Sequence, residues 1–141
     1  MKRRILSILS ILSLMLIVAG IFLTGCDKKG EGQAELTPLD FTVVSYDDIP
    51  KEFLAEIDKS KSEDFRLTYQ SGGWLYIARG YGMQQSGGYS IKVTEVSMAD
   101  NALYFNSELM GPKQGEAVNK LATYPYIVVK VEDAGQSVVF R

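Results

Sequence analysis

The stretch Phe65-Arg66-Leu67-Thr68-Tyr69-Gln70-Ser71-Gly72-Gly73-Trp74-Leu75-Tyr76-Ile77-Ala78 decides the fold. Phe65, Leu67 and Tyr69 alternate with Arg66, Thr68 and Gln70, the period of a strand with one buried face. Ser71-Gly72-Gly73 is a hairpin signal, and Trp74 to Ala78 is apolar on both faces, as a central strand is. Toward the carboxyl end, Tyr89, Ile91 and Val93 alternate with polar residues. The apolar phase then slips by one, so that Val96 and Met98 continue it, which predicts a β-bulge near Thr94-Glu95. Asp100-Asn101 turns the chain, and Leu103, Phe105 and Leu109 form the next inward set. Ile127, Val129 and Val131 form another, and Val138 to Phe140 closes the chain after the turn Asp133-Ala134-Gly135.

Toward the amino end, Ser60 to Asp64 reads as a charged loop, and Asp47-Asp48-Ile49-Pro50 as a helix start. Acids favour a helix N-terminus, and Pro suits its first turn. Phe53, Leu54 and Ile57 share one helical face, with an end near Lys59. Phe41 to Val44 is a short β-prone run. The expected class is α+β, a small, mostly antiparallel sheet or sandwich of about six hairpin-connected strands with one helix packed on it. Residues 41–141 form a single β-rich domain on this reading.

Met1 to Arg4 is a basic leader, and Ile5 to Leu23 follows without a charge. Leu23-Thr24-Gly25-Cys26 comes next, completing a secretory signal over residues 1–25. The Leu-Thr-Gly-Cys ending resembles the bacterial lipobox. That resemblance implies lipidation of the Cys26 thiol and cleavage before it, with two acyl chains giving stable anchoring on the extracytoplasmic side of the cell membrane. The alternative is a transmembrane helix, since nineteen apolar-rich residues can span a bilayer. The chain's only Cys stands where a lipobox requires it. Residues 26–40 read as a flexible tether, about 20 Å long as a coil and about 50 Å at most when extended.

The chain has 141 residues and no His. That excludes a Ser-His-Asp relay, a Cys-His pair and His-ligated zinc. The residues after the leader hold 12 basic and 17 acidic groups without a basic stripe, which argues against nucleic acid. The pairs Asp47-Asp48, Glu63-Asp64 and Glu132-Asp133 match no calcium-loop pattern and read as solvated charge. No catalytic residues, metal ligands or cofactors are expected.

Two loops stand out. Arg79 to Tyr89 holds four glycines and two tyrosines between strong strands. Met110 to Tyr124 is a long connection carrying Gly111-Pro112 and Gly115. An antiparallel meander places both at one end of the sheet. Tyr81, Gln84, Gln85 and Lys113 are the expected partner contacts, with Gly87 and Gly88 setting the loop shape. Thr123-Tyr124-Pro125-Tyr126 opens a strand, its aromatics either facing a partner or plugging the end of the sandwich.

Three segments, Gln85-Ser86-Gly87-Gly88-Tyr89-Ser90-Ile91, Gly111-Pro112-Lys113-Gln114-Gly115 and Thr123-Tyr124-Pro125-Tyr126-Ile127, stand in an order that resembles the carboxy-terminal domain of the PrcB family of protease-complex proteins. The resemblance covers residues 74–141, and Ser86 replaces the family's usual Thr. It implies a lipoprotein that binds, and stabilises or matures, a cell-surface serine protease, with no activity of its own. Two other classes stay open. One is a protease inhibitor presenting loops 80–88 and 111–123; the other is a small-ligand or cell-wall glycan binder using Trp74 and the Tyr residues.

Overall fold

The computed structural model describes residues 35–100 and 102–141. Among them it holds β1 (Thr37–Pro38), β2 (Thr42–Val43), a 3-10 turn (Tyr46–Asp48), α1 (Lys51–Ser60), β3 (Asp64–Ser71), β4 (Trp74–Tyr81), β5 (Ser90–Ala99), β6 (Ala102–Met110), β7 (Tyr126–Glu132) and β8 (Ser137–Phe140). The leader, Cys26 and most of the tether lie outside the described residues. No helix among the described residues is long and apolar enough to cross a membrane.

The strands make two four-stranded sheets, in the orders β1-β5-β6-β8 and β2-β7-β4-β3. The class read from the sequence stands, but the count rises from about six to eight and the single meander is corrected. β4 and β5 belong to different sheets, as do β6 and β7, so both long loops cross between layers. All pairings are antiparallel except β6 with β8, which run parallel. Sheet membership depends on partners far apart in the chain, which a local period does not encode.

β3 and β4 meet in a two-residue turn where Gly72 and Gly73 have φ of 59° and 79°. Positive φ at both central positions matches the right-handed twist of the strands, and Gly adopts it without a Cβ penalty. The expected bulge is present, with the β5–β6 register shifting between Val93 and Glu95. Because of that one extra residue, Val93 and Val96 both point inward.

β4 is central and buried on both faces, as the sequence predicts. Leu75 and Ile77 pack with Val96, Leu103, Phe105 and Val129 between the sheets. Tyr76 and Ala78 face the other way, onto Phe53 and Ile57 of α1. The layers are therefore helix, sheet, sheet. α1 begins after Pro50 and docks through Phe53 and Ile57, both fully buried, and the Phe53 ring stacks on Tyr69 at 5.3 Å. Burial of two such side chains, at roughly 1.5–3 kcal/mol each, outweighs the weak propensity of a ten-residue helix.

The composition-based tether is too long at its folded end. Thr37 and Pro38 pair with Met98 and Ser97, and the Leu39 N–H donates to Val96 O at 2.9 Å. Ala34–Arg141 form a compact unit of their own, containing every strand named above.

Candidate protein-binding surface

The site begins where the strands end. β4 runs three residues past the sequence-based boundary, to Tyr81, so Arg79, Gly80 and Tyr81 belong to the strand and not to the loop. Gly80 is tolerated there because the ring of its cross-strand partner Phe65 lies over it. Arg79 is buried, yet its charge is answered. Nη2 donates to the Asp64 carboxylate at 2.7 Å, and Nη1 donates to the carbonyls of Phe65 (3.1 Å) and Gly80. The guanidinium also lies 4.1 Å from the centre of the Tyr81 ring. The Tyr81 hydroxyl in turn donates to Ser107 O at 2.6 Å, tying β4 to β6 of the facing sheet. Tyr81 is therefore a brace at the base of the loops and not one of their presented contacts.

Gly82 starts the first loop, buried with φ of 68° against the backbone of Glu63 and Asp64. Beyond it the two loops join. The Gln84 N–H donates to Thr123 O at 2.8 Å, and the Thr123 N–H donates back to Gln84 O at 3.0 Å. The Gly87 N–H donates to Asn119 O at 2.8 Å, and Thr123 Oγ1 donates to Ser86 O at 2.7 Å. Residues 84–87 and 119–123 thus form a short ribbon. At its outer turn Gly88 has φ of 82°, and a Cβ there would lie 2.7 Å from Val118 and 3.0 Å from Pro112. Gly88 therefore sets the fit of one loop on the other.

The loops do share one end, although the meander that suggested it is absent. Ser90 pairs with Met110 in one sheet and Gly80 with Tyr126 in the other, and strand direction alone fixes the rest. Of the expected contacts, Gln85 and Lys113 are exposed. Gln84 is half-buried and spends its side chain on Tyr81 O at 3.0 Å, while Gly87 and Gly88 serve the ribbon. The Lys113 N–H donates to Glu116 Oε2 at 2.9 Å, and the Glu116 N–H donates to Lys113 O at 3.0 Å, closing a local turn. Sequence reasoning missed Met83 and Leu121, which are exposed on these loops, and Tyr124 is also exposed. Apolar side chains standing alone among turn-forming residues were the available signal.

At the base of the ribbon, Tyr126 is half-buried beside Phe65. Burial pushes its phenol above the ordinary value, and the charge of Asp58 adds to the rise. Lys61 is held above its ordinary value by a hydrogen bond to Asp58 at 3.0 Å and by that carboxylate's charge.

The features suited to a small ligand lie elsewhere. Trp74 stands at the opposite end of β4 under Lys130, whose Nζ is 4.9 Å from the ring centre. A hollow of about 350 Å³ opens near that end, lined by Leu39, Met98, Val131 and Gln136 among others. No group of three or more His, Cys, Asp or Glu positioned to hold a metal ion occurs among the described residues.

Residues 75–132 match the family described as PrcB C-terminal, which bears out the resemblance read from the loop motifs. The matched segment runs from β4 to the end of β7. No curated protein and no solved structure matches the chain.

Proposed function

We propose, on the premise that residues 75–132 belong to the PrcB C-terminal family, that this chain is a lipid-anchored, non-catalytic module that holds and stabilises a surface protease through the loop end of its sandwich. One observation carries the reading. The family segment contains both long loops and the strands that fix their ends, and those loops are hydrogen-bonded to each other. A ribbon whose backbone is already satisfied loses little conformational freedom on binding, so more of its contact energy appears as affinity. The brace of Asp64, Arg79, Tyr81 and Ser107 holds that ribbon on the two sheets.

The chemistry belongs to the partner on this reading, since a chain without His lacks the usual base for a Ser or Cys nucleophile. Cys26 supplies the anchor. From Cys26 to the paired Thr37 the chain spans roughly 40 Å at most. The domain is therefore held near the membrane and meets partners there at a high effective concentration.

The test is isolation of the tagged full chain from mildly solubilised, crosslinked membranes. A protease recovered with it supports the reading. A chain recovered alone overturns it, and loss of the protease's activity on association assigns an inhibitor instead.

A further inference from the structure

Three of the exposed large apolar side chains of the described residues, Met83, Leu121 and Tyr124, belong to the joined loops. Leu121 is 67% exposed, more than any other. Met83 and Tyr124 flank the Gln84–Thr123 bridge on opposite strands of the ribbon. Three polar side chains of the same segments are spent on nearby backbone. Gln84 donates to Tyr81 O, Thr123 donates to Ser86 O, and Asn119 Oδ1 accepts from the Leu121 N–H. Single exposed apolar residues are ordinary on a protein surface. A group of them on a preformed ribbon marks an interaction surface.

Charge narrows the partner. From Cys26 onward the chain carries 17 acidic and 12 basic groups. The loops 82–89 and 111–125 reverse that balance, with Lys113 and Lys120 against Glu116, whose carboxylate is engaged by the Lys113 N–H. Lys113 and Lys120 are both exposed. We infer that Met83, Leu121 and Tyr124 insert into an apolar pocket on a protein partner, and that carboxylates on the pocket's rim face Lys113 and Lys120. This inference rests on the binding role proposed above and assigns its contacts differently from the sequence reading: Gln84, Gly87 and Gly88 shape the ribbon, and the apolar trio carries the affinity.

The test places a benzophenone-bearing amino acid at position 121, or at position 59 on α1, in the full chain in its own membranes, followed by irradiation. The expected result is a discrete protein adduct from position 121 and none from position 59. Met83→Asp lowers the adduct yield about tenfold or more, the scale of a central contact residue, and Met83→Leu retains it. Lys113→Glu with Lys120→Glu lowers the yield further as salt is reduced, because the new acids then face the rim carboxylates unscreened. Unchanged thermal unfolding of Met83→Asp guards against a folding defect. An adduct insensitive to Met83→Asp, an adduct with lipid, equal adducts from both positions, or none from position 121 overturns the inference. A Met83-dependent adduct with a protein that is not a protease upholds this surface while sinking the protease reading.

Discussion

At Gly80 a Cβ would overlap the ring of Phe65, which is only 7% exposed. Gly80→Ala is expected to lower stability by about 1–3 kcal/mol, the usual cost of overpacking. The readout is a lower urea midpoint at an unchanged slope; an unchanged midpoint would show that the ring yields. Tyr126 supplies a pH signature. Its phenol is raised from the ordinary value of 10.0, first by burial and then by Asp58, so the fold favours the neutral form. That contribution is complete below the ordinary value and is lost as pH climbs through the raised one. Tyr126→Phe should therefore lose less stability than the wild type as pH rises above the ordinary value of 10.0, measured as Tm against pH. Identical alkaline limbs would contradict this assignment. Lys61 is raised chiefly by Asp58, which both proteins keep, and Tyr126 is only a minor cause of its rise.

Among the elements, α1 depends most on few contacts. Phe53→Ala removes a fully buried ring that stacks on Tyr69 and tilts against Tyr76, and should cost about 3–5 kcal/mol. Amide exchange in α1 should quicken before that of β4, whose inter-sheet face keeps its packing; simultaneous loss would mean that helix and sandwich unfold as one. The helix face and the β5 bulge were legible in the sequence because each is a local periodicity, read from Phe53 and Ile57 in one case and from Val93 and Val96 in the other. β2 was legible as the β-prone run Phe41 to Val44, whereas β1 was not, since a two-residue strand carries no period and Thr37-Pro38 lay in the stretch read as tether. The end of β4 was misplaced because Gly80 reads as a strand breaker, and the Phe65 ring that compensates for it lies on another strand. The candidate surface was legible as to its place, since the glycines and Pro112 mark both loops. Its apolar contacts were hidden, because an apolar side chain is read as pointing inward unless the fold shows otherwise.

For the molecule as a whole, the proposed function gives an acyl anchor at Cys26 the task of location and the loop end that of recognition. Cys26→Ser removes the only thiol that a lipobox pathway can modify. It should release the chain from the membrane, or strand it there with its leader uncleaved, as scored by fractionation and mass. A processed, membrane-bound Cys26→Ser chain would rule out the lipid anchor. The binding role is most directly tested by treating membrane-captured material with a fluorophosphonate probe that labels active serine hydrolases. Wild-type chain should bring down one labelled band distinct from the chain itself. Gly88→Val, which drives a side chain into Val118 and Pro112 and so parts the loops, should bring down little of it. Label on the chain itself, no labelled band with the wild type, or equal recovery by both would contradict a non-catalytic module that recognises a serine protease through its joined loops.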